Sequence, residues 1–357
     1  MTPTLVFRVH SDLRLGLGHV ARALVLDRAW RALGGSSVLA VSGGPQARRL
    51  AQGLHPFREE PLEVEVVDLG EDLHAPLPES LKARASLVLV DQWETTPEQV
   101  RALRPLKVAL MEDEGDAHEA ADLLFQPFLE GVDWPAMPVK VVNGRKVRPH
   151  ETFAGSCRVL RGASFIVVGE AATLGRPKRE PLQPLTVRRL LATFGGTDGP
   201  GLAQKAYGIL GDLVREGRWS GSCTLLAPQG VSGPAVPGCT VVSQVPELTR
   251  RISEFDAVWC AAGLTLAEAV CLGVPAAAWG QNARQAGMIG DMAQANACMG
   301  LGEGPESDPR LVVEALAHWF SAEGQETRQE QVRDGMKLVD GMGAARVAQE
   351  LRALAEA

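Results

Sequence analysis

From its N-terminus the chain alternates short apolar runs with longer stretches in which apolar residues recur every three or four positions. TLVFRV, SSVLAVS, VEVVDL, LVLVD, KVALM and DLLFQP, in the first half, are apolar at nearly every position rather than at every second one. That pattern predicts parallel strands covered on both faces, because a half-exposed strand would carry polar residues at alternate positions. Between them, HVARALVLDRAWRAL has helical spacing, and TPEQVRAL opens on a threonine suited to capping a helix. The alternation breaks at ATLGRPKREPLQPLTVRR (172–189), whose three prolines and clustered charge predict a linker. It then restarts with strands at RLLATFG, SCTLLAP, CTVVSQV, AVWC and PAAAW and with helices at GLAQKAYGILGDLVREG, PELTRRISEF, TLAEAVCLG and ARQAGMIGDMAQANA. From about residue 309 onward the pattern is helical. The expectation is an α/β protein of two doubly wound parallel-sheet domains, 1–171 and 190–357, facing a cleft, with ligands beyond the carboxyl ends of the strands.

Bulk properties narrow the picture. At 357 residues the chain exceeds one ordinary core. Hydrophobic and charged contents of 45% and 22% describe a globular chain. A net charge of −7 argues against nucleic acid as the partner. No apolar stretch approaches the ~20 residues of a membrane span, and the first residues carry no leader pattern, so a cytoplasmic location is expected. The six cysteines are scattered with no C-x-x-C pair, which favours reduced core thiols over a disulfide framework or a zinc site. The oligomeric state is left open.

Three stretches carry candidate chemistry. RVHSDLRLGLGHVARAL (8–24) runs strand, glycine loop, helix, and places His19 at a helix start. Glycines let the backbone turn tightly near a ligand, and a helix start offers unpaired N–H groups. A dinucleotide site is disfavoured, because the third glycine and the acidic ribose partner are missing. TFGGTDGPGLA (193–203) and CAAGLTLAEAVCLGVPAAAWGQN (260–282) have the same order. In the latter, the N–H groups of Gly263, Leu264 and Thr265 and the Thr265 hydroxyl suit a diphosphate, and Glu268, one turn on, suits a ribose diol. The carboxylates of MEDEGDAHEAAD (111–122) read as a solvated loop rather than a metal site, and the tryptophans as packing residues.

Taken in order, Phe7-Arg8, GLGHVAR (16–22), LVLVD ending in Asp91, RVLRGASF (158–165), FGGTD (194–198), LTLAEAVCLGVP (264–275) and VDGMGAARV (339–347) span nearly the whole chain. The set resembles the pseudaminic-acid pathway hydrolases that cleave UDP-2,4-diacetamido-2,4,6-trideoxy-L-altropyranose, and the related spore-coat polysaccharide glycosyltransferases. The resemblance implies a GT-B fold with the nucleotide on the C-terminal domain, near Gly195, Gly196, Thr197, Gly263, Leu264, Thr265 and Glu268. It implies substrate contacts from Arg8, Gly16, Gly18, Asp91, Trp93 and Asn282, and His19 as general base. It further implies metal-independent, inverting hydrolysis of a UDP-linked amino-deoxy sugar in nonulosonic-acid or surface-glycan synthesis, with no cofactor. The alternatives are a glycosyltransferase with a sugar or lipid-linked acceptor, and a catalytically silent nucleotide-sugar-binding protein. Three positions depart from the family. His10 stands where the family has Asp, with Asp12 two residues on; Gln92-Trp93 replaces His-Tyr; and Asn282-Ala283 replaces Asn-Gln, with Gln281 and Gln285 nearby. An indole has one donor and no acceptor, so Trp93 cannot replace a phenol in proton transfer, and a changed sugar preference is expected.

Overall fold

A computed structural model describes residues 2–12, 16–52, 64–128, 141–142, 145–146 and 151–357. The first part of the chain gives β1 (Thr4–Ser11), α1 (Gly18–Ala32), β2 (Ser36–Gly43), α2 (Pro45–Ala51), β3 (Glu65–Asp68), α3 (Glu79–Lys82) and β4 (Leu87–Asp91). It continues through α4 (Pro97–Arg101), β5 (Lys107–Met111), β6 (Leu123–Gln126), a short antiparallel pair β7 (Val141–Val142) and β8 (Arg145–Lys146), β9 (Glu151–Ala154) and β10 (Cys157–Arg161). The main sheet has the order β3-β2-β1-β4-β5-β6-β10-β9, parallel except for β9 against β10. Both faces of its central strands are covered, which is why β4 and β5 are apolar at nearly every position. Leu5, Phe7, Val9, Leu87 and Leu89 enter one core with α1, while Val6, Val88 and Val90 enter another on the opposite face. At α4 the expected cap is present: Gln99 N–H donates to Thr96 Oγ1 at 3.2 Å, and Thr96 N–H donates to Gln99 Oε1 at 2.8 Å.

The second part gives α5 (Glu170–Gly175), β11 (Arg189–Thr193), α6 (Leu202–Arg215), β12 (Ser222–Leu226), β13 (Cys239–Val242), α7 (Leu248–Arg251), β14 (Ala257–Cys260), α8 (Leu264–Cys271) and β15 (Ala276–Gly280). After these come α9 (Ala283–Gln294), β16 (Met299–Glu303), α10 (Pro309–Phe320), α11 (Gln325–Leu338) and α12 (Gly343–Ala355). Its sheet, β13-β12-β11-β14-β15-β16, is parallel throughout. Phe194 packs edge-on against Trp259 and Trp279 within its core, with ring centroids of the three 5.4–6.0 Å apart, so these tryptophans are packing residues.

The chain divides into two compact units, Met1–Val167 with Met342–Ala357, and Val168–Gly341. This corrects the expected boundaries in two ways. Residues 172–189 are not a linker but part of the second unit. Arg328 Nη2 donates to the carbonyls of Pro184 and Leu185 at 2.7 and 2.8 Å, and Gln325 Nε2 donates to that of Gln183 at 2.8 Å. The last helix, α12, returns to the first unit, where Val347 and Leu351 are fully buried in the core that contains α1. Arg158 reaches Glu350 on α12 at 2.6 Å.

Candidate functional site

In the first unit β1 lies between β2 and β4, so consecutive connections leave the sheet in opposite directions at the β1/β4 boundary. Such a reversal opens a crevice at the carboxyl ends of the strands. The glycine loop after β1 and the start of α1 lie there. Gly16 has a φ of +77°, which favours glycine, and its N–H donates to Asp12 O at 2.9 Å. Gly18 begins α1, with nothing within 4 Å of where a Cβ would stand. His19 follows, and its side chain is turned inward.

His19 Nδ1 lies 2.6 Å from Oδ1 of Asp91, the last residue of β4. Arg22, one helical turn after His19, grips the same carboxylate with two parallel donors, Nε to Oδ2 at 2.8 Å and Nη2 to Oδ1 at 2.7 Å. Its remaining arm, Nη1, pairs with Oε1 of Glu112, just past β5. Burial alone would raise the Asp91 carboxyl, but Arg22 and then His19 outweigh it and hold that carboxyl well below the ordinary carboxylate range. Burial likewise works against the Arg22 charge, yet Asp91 and Glu112 more than restore it and raise its pKa. Facing an ionised carboxylate oxygen at 2.6 Å, Nδ1 is the protonated nitrogen. In the neutral ring Nε2 then carries the lone pair and is the nitrogen able to accept a proton.

Of the other positions expected here, Arg8 is spent on the scaffold. Its Nη1 donates to Ser42 Oγ at 2.8 Å and Val9 O at 3.1 Å, and its Nη2 to Leu73 O at 2.7 Å and Ala75 O at 3.3 Å. Burial lowers its pKa to about 10, with Asp72 countering in part. That arrangement tethers the 72–75 loop rather than reaching for a ligand. His10 shares Ser42, with Nδ1 2.8 Å from its Oγ, and burial lowers its pKa against the pull of Asp12. Trp93 is half-buried in the loop after β4. The 111–122 loop is not simply solvated: Glu112 and Asp113 are buried, and Asp113 accepts from the N–H groups of Thr95 and Gly115. Arg22 and Glu112 are the residues that sequence reasoning missed. Arg22 had a signal, since three residues from His19 is one turn of the same helix face.

In the second unit the corresponding reversal is at β11/β14, and three loops gather along that carboxyl edge. Gly195 and Gly196 are exposed in the loop after β11, with Gly195 at φ +92°. Thr197 is buried, and its carbonyl accepts from Gln229 Nε2 at 3.1 Å. Asp198 caps α6 through the N–H groups of Leu202 and Ala203 at 2.8 and 2.9 Å. Gln281 Nε2 donates to Phe194 O and ties the loops after β15 and β11 together. Asn282 caps α9, accepting from Gln285 N–H at 3.0 Å, which is a structural use of its side chain. Gly263, at φ +149° with open space around it, starts α8 without a side-chain cap. Leu264 and Thr265 form the first turn of α8, and with Gly263 they leave N–H groups for an anion.

Glu268 lies deeper than expected for a ribose contact. It is buried, with Oε2 accepting from Thr249 Oγ1 at 2.9 Å and Oε1 from Gly169 N–H at 3.2 Å. Burial pushes its carboxyl up to about 7 despite those two bonds. Among the described residues, no group of three or more His, Cys, Asp or Glu is placed to hold a metal ion. No helix of the described residues is long and apolar enough to cross a membrane.

Two α/β units with these strand orders define the class, and the fold is GT-B. Among solved structures the chain is similar to MurG of Acinetobacter baumannii, with a TM-score of 0.58 at 13% identity over 98% of this chain and 100% of that one. It is also similar to the spinosyn rhamnosyltransferase SpnG complexed with thymidine diphosphate, at 0.57 and 15% over 98% and 100%. A putative UDP-N-acetylglucosamine 2-epimerase from Listeria monocytogenes matches at 0.56 and 12% over 99% and 96%. In sequence, the chain is 24% identical over 225 residues to the spore coat polysaccharide biosynthesis protein SpsG of Bacillus subtilis (strain 168). That match takes in 60% of this chain and 65% of the relative's length. No family model matches the chain.

Proposed function

We propose that this chain is a metal-independent, inverting glycosyltransferase that moves a sugar from a nucleoside diphosphate to a hydroxyl acceptor in surface-glycan synthesis. The observation that carries the reading is the 2.6 Å contact of His19 Nδ1 with Asp91, which leaves Nε2 as the proton acceptor beside the β1/β4 reversal. In this reading Nε2 takes the acceptor's proton as its oxygen attacks the anomeric carbon, and the nucleoside diphosphate leaves. The second unit binds the nucleotide, with the N–H groups at the start of α8 stabilising the departing diphosphate. The name of the Bacillus relative supports surface polysaccharide as the destination, and the rhamnosyltransferase among the fold relatives supports transfer over hydrolysis.

The test is a panel of UDP- and dTDP-sugars assayed for free nucleotide with and without hydroxyl acceptors, followed by NMR of the product's anomeric configuration. Acceptor-dependent release with inversion is expected. Release of UDP and free sugar at the same rate without acceptor would favour hydrolysis of a UDP-amino-deoxy sugar instead. Tight nucleotide-sugar binding with no turnover would indicate a silent binding protein.

A further inference from the structure

Arg22 and Glu112 have no part in the reaction as described, yet they form a buried chain of charges ending at the base: Glu112, Arg22, Asp91, His19. The two members farthest from the base are costly to place. Arg22 is a largely buried cation, and Glu112 is a non-glycine residue at φ +51°. A left-handed backbone at a buried glutamate persists only where the surroundings fix it, and here its carboxylate meets Arg22.

We propose that Arg22, held by Glu112, is a positioning residue that keeps Asp91 ionised and thereby decides which nitrogen of His19 carries the proton; this rests on His19 being the base. With Arg22 in place, Asp91 only accepts, so the imidazole proton stays on Nδ1 and Nε2 remains open. Without it, buried Asp91 faces no guanidinium and takes up a proton. A protonated Asp91 donates to Nδ1, the imidazole proton moves to Nε2, and Nε2 no longer accepts. Arg22 Nη2 lies 3.3 Å from Nδ1, against 2.6 Å for Asp91 Oδ1, so the carboxylate holds the shorter contact while Arg22 stays bound to it.

The experiment uses the full chain with 15N-labelled histidine and long-range 1H–15N spectra at pH 8.5, the His19 resonances being assigned with His19→Gln. Wild type is expected to show the Nδ1–H tautomer alone, and Arg22→Gln a mixture or the Nε2–H form. Turnover of Arg22→Gln is expected to fall about 10–100-fold with KM within about twofold, the usual size of an orienting partner's effect. Arg22→Lys should recover part of both, and Glu112→Gln should shift the tautomer in the same direction by less. A folded Arg22→Gln protein that keeps the wild-type tautomer overturns the proposal. If that variant does not fold, an unchanged tautomer together with unchanged turnover in Glu112→Gln overturns it. The spectra need no substrate, so failure of the base reading, seen as near-wild-type turnover in His19→Gln, is distinguishable.

Discussion

Glutamine in place of His19 keeps a polar side chain at the second residue of α1 but removes the ring nitrogen that accepts a proton. Turnover is expected to fall by about 10²–10⁴-fold while nucleotide affinity, measured by calorimetry, stays nearly unchanged. Equal turnover would leave His19 as a helix-start residue. Glu268 makes a different prediction, about pH. Its folded pKa of about 7 stands above an ordinary value of 4.5. Between those values the folded state holds more protons than the unfolded one. Stability is therefore fully present below 4.5 and is lost as pH rises through 7. By pH 8 the loss is at most about 3 kcal/mol. Glu268→Gln should unfold at a similar temperature to wild type at pH 5 and at a higher one at pH 8; an equal difference at both would refute the linkage. At this scale His19 was read from the sequence, and Arg22, though missed, had a local signal in its helical spacing. Glu112 had none, since only the folded sheet brings the end of β5 to α1.

The start of α8 depends on a backbone conformation that side chains resist. Although a Cβ at Gly263 would meet no atom within 4 Å, φ +149° strains any L residue there. Gly263→Ala should cost about 1–3 kcal/mol in urea unfolding. It should also weaken UDP binding by reorienting the N–H groups of the first turn. Retained affinity would move the diphosphate elsewhere. Elements were legible where their apolar runs were unbroken, as in LVLVD and AVWC. They were hidden where the strand is short or interrupted: β10 reads CRVLR, and β16 reads MGLGE, with two glycines in five residues. Pairing with β6 and β15, rather than local propensity, makes those segments strands.

The path of the chain between units was the least legible feature. The apolar face of α12 predicts burial but does not say against what. Val347 and Leu351 bury it in the first unit, so Leu351→Ala should destabilise that unit by about 2–5 kcal/mol. Hydrogen exchange is expected to quicken in β1 and α1, with β11 and β14 little changed; equal quickening in both would contradict the division. The return of α12 also orders events during synthesis. Domains made first usually fold first, at 5–20 residues per second of elongation. Here residues 343–355 emerge after the whole contiguous stretch Val168–Gly341, on the order of 10–30 s later at that pace. Until then the apolar surface that α12 covers is open, and a nascent chain paused in this window is the form most in need of a chaperone.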